Sequence, residues 1–262
     1  MIDLHSHILP GLDDGAPNLE ASLSMALMAV EEGIDTVVAT PHVNQTYPVD
    51  ADAMSVAVGA LNVALARMEL PLAVLPGSEI AVETLATLDD ISLRRLSLGG
   101  GGCVLVESPY SGSVPFLEDM LFDLQVRGFR PVLAHPERSI AFRERPERLE
   151  GLVSRGVMSC VNSGSLAGRF GSNAKRMSLQ FFQEGLVHAV ASDSHDDRNR
   201  PPRLLEGFEK AEEELPGITE QAPWFTNAAP AAIVAGGRLP ARPDPPHPPV
   251  SGWRRFLPGK GR

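Results

Sequence analysis

Two rhythms of apolar and polar positions alternate along the chain. Short runs rich in β-branched residues recur at Ile2–Leu4, Thr36–Ala39, Leu72–Leu75, Cys103–Val106, Pro131–Ala134, Met158–Val161 and His188–Ala191. They show little internal alternation, as expected of parallel strands covered on both faces. Between them, Leu19–Glu32, Ala51–Met68, Thr84–Leu98, Val114–Arg127, Pro146–Ser154 and Lys175–Glu184 carry helical spacing. Gly33, Gly128, Gly156 and Gly185 fall just after helical stretches, where a left-handed residue closes a helix before the next strand. Seven βα units without a long break predict one parallel α/β domain, most simply a barrel.

The rhythm fades towards the end. Arg203–Leu215 reads as one more helix and Ala228–Ala235 as a short one, and from Pro240 the chain turns proline-rich. Such a segment resists regular structure and predicts an extended tail, with Trp253 and Phe256 as residues able to pin it. The division expected is therefore a domain over 1–237 and a tail over 238–262. That tail carries a net charge of about +5, which leaves about −15 on the body.

An acidic body argues against nucleic acid as a partner, because phosphate backbones attract basic surfaces. It would also repel a phosphorylated substrate unless bound cations reverse the local field. With 43% hydrophobic and 21% charged residues the 262-residue chain has enough apolar material for a folded core. Two cysteines, Cys103 and Cys160, are too few for a disulfide framework or a thiolate zinc site. No apolar run reaches the roughly 18 to 20 residues of a membrane helix, and Met1-Ile2-Asp3-Leu4-His5 does not open like a signal peptide. A cytoplasmic protein is expected.

What ends each strand is the informative feature. The first run leads into His5, His7, Asp13 and Asp14, with Asp3 within it; the second ends Thr40-Pro41-His42, the third Gly77-Ser78-Glu79 and the fourth Val106-Glu107. The fifth ends Ala134-His135-Pro136-Glu137-Arg138, the sixth Asn162-Ser163-Gly164-Ser165 and the seventh Ser192-Asp193-Ser194-His195. Five of the seven histidines lie at these ends. In a parallel barrel all of them open onto one face, the face that carries chemistry. Imidazole and carboxylate without thiolate suit Mn²⁺, Zn²⁺, Fe²⁺ and similar ions. His5, His7, Asp14, His42, Glu79, Glu107, His135, Asp193 and His195 make nine candidate ligands, more than one ion needs, so two or three ions and a bridging carboxylate are expected. His5 and His7 share a strand face by their spacing, as do Asp193 and His195.

A single histidine or glutamate at such a position is ordinarily a hydrogen-bonded structural residue; the convergence of nine changes that reading. Asp3 and Asp13 fit either a supporting contact to a ligand or a turn or cap. Glu137 is expected to orient its neighbours, Glu83 to be solvated, His188 to pack and His247 to belong to the tail. Arg138 and Arg200, just after candidate ligands, suit forked recognition of phosphate oxygens; the alternative for each is a salt bridge to the acidic rim. No Walker A loop exists, since Gly99–Gly102 lack the following Lys-Ser/Thr, and the Cys-plus-Arg spacing of a cysteine phosphatase is missing at Pro109 and Leu166. Ser163-Gly164-Ser165 is not a nucleophile elbow.

In their order and intervals these motifs resemble the polymerase-and-histidinol-phosphatase (PHP) superfamily. Within it, the opening Met1 to Leu9, Asp13-Asp14-Gly15 and Arg200-Pro201-Pro202 are similar to the bacterial capsule and exopolysaccharide tyrosine phosphatases. The resemblance covers residues 1 to about 235 and implies a distorted (β/α)₇ TIM-like barrel with three divalent ions, Mn²⁺ first, with Fe, Zn, Co or Mg as alternatives. It implies one ion on His5, His7, Glu79 and Asp193, a second on Glu79, Glu107 and His135, and a third on Asp14, His42 and His195. Arg138 and Arg200 match the phosphate-binding arginines. The implied activity is hydrolysis of phosphotyrosine by a metal-activated hydroxide, on a membrane-associated tyrosine kinase that controls polysaccharide export. Phenolate, with a pKa near 10, leaves far more readily than an alkoxide. Val43-Asn44-Gln45-Thr46-Tyr47 departs from the family pattern. The alternatives are a small-molecule phosphoesterase of the histidinol phosphatase type and a non-catalytic accessory domain, which the complete ligand set disfavours.

Overall fold

The computed structural model describes residues 1–108 and 116–246. The readings of His247, Trp253, Phe256 and the start of the Val114–Arg127 helix fall outside the described residues. The first strand, β1 (Ile2–Ser6), is followed by α1 (Leu19–Glu31), β2 (Thr36–Ala39), a two-residue β3 (His42–Val43) and α2 (Ala51–Arg67). Next come β4 (Ala73–Leu75), β5 (Glu79–Ala81), α3 (Asp90–Leu96), β6 (Cys103–Glu107), α4 (Leu117–Val126) and β7 (Arg130–Ala134). Short helices α5 (Ile140–Glu144) and α6 (Glu147–Val153) lead to β8 (Met158–Asn162), α7 (Ser163–Leu166), α8 (Ser172–Gln183) and β9 (Ala189–Ala191). The chain closes with α9 (Leu205–Ala211), α10 (Ile218–Pro223) and α11 (Ala229–Val234).

All pairings between these strands are parallel, in two sheets ordered β1-β2-β4 and β3-β5-β6-β7-β8-β9. The parallel α/β expectation holds; the seven expected strands become nine because two are interrupted. Thr40-Pro41 separates β2 from β3, and Pro76 to Ser78 separate β4 from β5. Proline cannot donate to a ladder, so pairing breaks there and resumes with His42 opposite Glu79. The expected helix Thr84–Leu98 is likewise two pieces, a 3₁₀ turn over Val82–Thr87 and then α3. The Asp89 side chain accepts from Ser92 N–H at 2.7 Å, and this cap starts a new helix. The helix expected over Arg203–Leu215 shortens to α9, and α10 was not foreseen.

Alternate residues of the strands enter different apolar layers. Val104, Val106, Leu133, Val161 and Val190 pack against the helices, whereas Cys103, Leu105, Val132, Ala134, Met158, Cys160, Ala189 and Ala191 join Leu4 and Val38 in a second cluster. Glu107 continues that second face past the last apolar residue of its strand. The apolar layer therefore ends where the polar cluster begins. Residues 238–246 do not hang free: Trp224 Nε1 donates to Ala241 O at 2.9 Å, Gln221 Nε2 to Asp244 O at 3.1 Å, and Arg242 donates to Gly185 O.

The two ends of the chain's strand succession meet at β1 and β9. Ser6 pairs with Ser194, His7 N–H donates to Ser194 O and Asp193 N–H to His5 O, both at 2.8 Å. Asp3, fully buried, fastens this seam: its carboxylate accepts from Ser192 N–H at 3.0 Å and Ser192 Oγ at 2.5 Å. Burial raises its pKa, and the Ser192 hydrogen bonds only partly offset that. Asp3→Ala removes the acceptor of Ser192 N–H, Ser192 Oγ and His5 N–H and should cost about 2–3 kcal/mol, read as a lower urea midpoint at unchanged slope. A midpoint equal to that of the parent chain would show that the seam is not held by Asp3.

Candidate metal centre

The nine candidate ligands converge at the C-terminal edge of the strands. His5 lies on β1 and His7 just after it, His42 opens β3, Glu79 opens β5, Glu107 ends β6, and His135 follows β7. Asp193 and His195 follow β9, and Asp14 comes from the β1–α1 loop. Several local features aim them. The β1–β2 register shifts between Asp3 and Ser6, an extra residue that redirects the end of β1. His135 and Asp193 hold positive φ angles of 32° and 53°, so each breaks its strand at the residue that must turn inward. Asp193 and His195 thus do not keep the strand alternation expected of them. Gly15 packs directly on His7: a Cβ there would lie 2.2 Å from His7 O.

Donor atoms from all nine gather into four overlapping sets, each with its atoms within 4.8 Å: His7/Asp14/His42/His195, His5/His7/Asp193, His5/Glu79/His135 and His42/Glu79/Glu107. This grouping differs from the one the resemblance implies: there are four sets rather than three, Glu79 is not in the set of His5, His7 and Asp193, and His5 joins Glu79 and His135. Glu107 lies beside His42, and His7 also joins the set with Asp14. Glu79 is the hub. Its Oε2 lies 3.1 Å from His5 Nε2, 3.4 Å from His7 Nε2 and 3.1 Å from His42 Nδ1, and its Oε1 lies 2.8 Å from His135 Nε2. Asp193 Oδ1 lies 3.4 Å from both His5 Nε2 and His7 Nε2, which face each other at 3.2 Å. Neighbouring ligands around a first-row ion with bonds of about 2.0–2.2 Å are separated by about 3.0–3.4 Å. Glu79 Oε2 and His42 Nδ1 are buried without a hydrogen-bond partner. Spacing, donor chemistry and these orphaned atoms fit divalent ions.

The electrostatics carry the same message. Burial alone would raise Glu79 and Asp193, but the charge of His5 and the bonds from His7, with His135 on Glu79 and Arg200 on Asp193, hold both well below the usual carboxylate range. Burial pushes Glu107 up to about 8, aided by the charges of Glu79 and Asp193. His195 is pushed down to about 3 by burial and by His7. Burial opposes charge on His7, yet its bonds to Asp13, Asp193 and Glu79 raise its pKa well above the ordinary value.

The supporting residues fall into place. Asp13 serves both of its expected roles: Oδ2 meets His7 Nδ1 at 2.6 Å and accepts from His42 N–H at 3.0 Å, while Oδ1 closes the turn at Gly15 N–H. Glu137 orients, accepting from Asn162 N–H at 3.0 Å. Asn162 in turn donates to Asp193 Oδ2 at 2.7 Å, a role the sequence did not single out. Glu83 is exposed, and His188 accepts from Ser159 N–H away from the cluster. Arg138 and Arg200 both reach Asp193 Oδ2, at 2.9 and 2.5 Å. Their guanidinium carbons lie 4.3 and 5.6 Å from the centre of the Phe170 ring, a residue that sequence reasoning passed over because a loop aromatic reads as packing. Tyr47 stacks on His42 at 5.9 Å from the departing Asn44–Tyr47 loop.

A parallel α/β fold with carboxylates and imidazoles clustered at its strand ends, and arginines beside them, has the features of a metal-dependent hydrolase centre of the kind that handles anionic esters. The chain belongs to the CpsB/CapC family of capsular polysaccharide synthesis, whose model matches residues 1–229. It is 41% identical over 216 residues to the tyrosine-protein phosphatase YwqE of Bacillus subtilis, spanning 82% of this chain and 85% of that one. It is 29% identical over 217 residues to the tyrosine-protein phosphatase CpsB of Streptococcus pneumoniae, spanning 80% and 88%. A crystal structure from work on these two, described as unique metal-dependent tyrosine phosphatases, superposes with a TM-score of 0.81 at 36% identity, over 96% of this chain and 100% of that one.

Because Glu107 keeps its proton up to about pH 8 in the ion-free centre, a cation must displace that proton to bind. Apparent metal affinity should therefore fall as pH drops below about 8, by up to tenfold per unit, with proton release at pH 7 measurable by calorimetry in two buffers. Affinity independent of pH from 6 to 8 would contradict a protonated Glu107.

Proposed function

We propose that this chain is a metal-dependent tyrosine-protein phosphatase of capsular or exopolysaccharide synthesis. One observation carries the reading: Asp193 faces His5 and His7 with one carboxylate oxygen and Arg138 and Arg200 with the other. A centre for cations and a pair of fixed guanidiniums thus share a single side chain. Three divalent ions, Mn²⁺ first, are assigned to His5, His7, Glu79 and Asp193; to Glu79, Glu107 and His135; and to Asp14, His42 and His195. The two sheets are read as one distorted (β/α)₇ barrel whose seam is the Ser6–Ser194 bridge. The domain is assigned to 1–237 and the basic segment to 238–262. The substrate is a phosphotyrosine protein, a membrane-associated tyrosine kinase, met in the cytoplasm; no helix among the described residues is long and apolar enough to cross a membrane.

Bound ions supply an activated hydroxide and positive charge toward the phosphoryl group. The chain's own residues do the rest. Arg138 and Arg200, always cationic, turn from Asp193 Oδ2 to the phosphoryl oxygens and hold them more tightly as charge shifts in the transition state. Asn162 stays on Asp193 Oδ2, so that carboxylate keeps a partner when the arginines swing to substrate. Phe170 holds both guanidiniums on one flank. A phenolate with pKa near 10 departs without a dedicated general acid, which accords with a His195 that burial keeps neutral.

Hydrolysis of a phosphotyrosyl peptide should exceed that of histidinol phosphate, vanish with chelator and return with Mn²⁺. Cys103→Ser with Cys160→Ser should leave the rate unchanged, since both thiols are buried and burial raises their pKa values. Arg138→Ala should keep its metal while kcat/KM falls on the order of 10²-fold, about 3 kcal/mol, with only partial rescue by lysine. A faster rate on histidinol phosphate would move the assignment to the small-molecule phosphoesterases. Metal loss in Arg138→Ala would make that arginine structural.

A further inference from the structure

Beside Phe170 a cleft of about 390 Å³ opens, bounded by Arg138, Arg143, Phe170 and residues 171–174. Its volume lies within the range of small-ligand sites. Two guanidiniums border it and, among the described residues, no carboxylate does, although the body of the chain carries about fifteen excess negative charges. Other arginines of the chain are engaged in ion pairs, Arg127 with Asp90, Arg148 with Glu118 and Arg169 with Glu206. Arg143, half-buried on α5, makes no ion pair among the described residues. Ser172 and Asn173, at the start of α8, add polar groups to the floor.

The cleft adjoins the reaction centre through two of its lining residues, Arg138 and Phe170. Phe170 is the shared wall: Arg138 lies on its ring and also reaches Asp193, whose other oxygen faces His5 and His7. A phosphotyrosine held by Arg138 and Arg200 brings the residues next to it in the substrate over Phe170 and into this cleft.

We infer that the cleft is a subsite for a second anionic group of the substrate, a carboxylate or phosphate on a residue flanking the phosphotyrosine, with Arg143 as its recognising residue. The inference rests on the phosphatase reading above and specifies its substrate class as an acidic or multiply phosphorylated tyrosine peptide. Arg143 sets specificity; it takes no part in phosphoryl transfer.

The test uses the Mn²⁺-loaded full chain with p-nitrophenyl phosphate and three matched phosphotyrosyl peptides carrying Gln, Glu or a second phosphotyrosine beside the target. The parent chain should prefer a flanking anion over Gln. Arg143→Ala should erase that preference, lowering kcat/KM on the anionic peptides about tenfold, mainly through KM. Turnover of p-nitrophenyl phosphate, too short to reach the cleft, should stay unchanged. Arg143→Lys should restore part of the preference, which a loss through misfolding would not allow. A larger loss on the Glu peptide supports a carboxylate ligand, and a larger loss on the doubly phosphorylated one supports a phosphate. An unchanged anion-to-Gln ratio in Arg143→Ala, or an equal loss on p-nitrophenyl phosphate, overturns the subsite while the phosphatase reading stands. Absence of turnover on every aryl phosphate overturns the phosphatase reading, and the subsite with it.

Discussion

Glu79 is buried to within 1% of its surface, and its two oxygens meet four imidazoles, those of His5, His7, His42 and His135. A carboxylate withdrawn from water is costly unless cationic or hydrogen-bonding partners compensate it. Here the partners come from three different strand ends, those of β1, β3 and β7. The same electrostatic demand spreads outward: Asp193 and Glu107 crowd the cavity with further negative charge, and Glu107 responds by keeping its proton up to about pH 8. Divalent ions held by these residues would answer this demand with more charge than protons can, and would turn a destabilising cluster into a reaction centre.

The fold accepts local strain to build this arrangement. Left-handed φ angles at His135 and Asp193 cost on the order of 1–3 kcal/mol each, and the extra residue in β1 interrupts a ladder. Backbone bonds hold these positions. His135 N–H donates to Cys160 O, and Asp193 N–H to His5 O, each at 2.8 Å. The inner apolar cluster beneath, from Leu4 through Ala191, supplies the rigidity that keeps nine side chains aimed at one region. Asp193 then couples the cation side to the arginine side, so a shift in either is felt by both.

Much of this was legible in the residue order. The strand runs are continuous and β-branched because both faces are covered, and every candidate ligand follows one of them or its loop, so periodicity alone brought the nine residues to one edge. What escaped depends on contacts between distant segments. Nothing local distinguishes Phe170 from a packing aromatic; its role comes from Arg138 and Arg200 both arriving at its ring. Asn162 ends an apolar run like several other polar residues, and only the path of β9 brings Asp193 to it. The split of two strands was written in Pro41 and Pro76, which a reading by apolar runs overlooked. The tail's first residues looked solvent-bound by composition, yet Trp224 and Gln221 hold their carbonyls.

Glu79→Gln tests the central claim most directly, because it keeps the shape of the hub and removes its charge. Bound metal counted by elemental analysis, alongside turnover of a phosphotyrosyl peptide, should show fewer ions per chain and a rate lower by several orders of magnitude. A variant that keeps the parent's metal content and a near-parent rate would contradict the account, for the charge at Glu79 would then not be what assembles the centre.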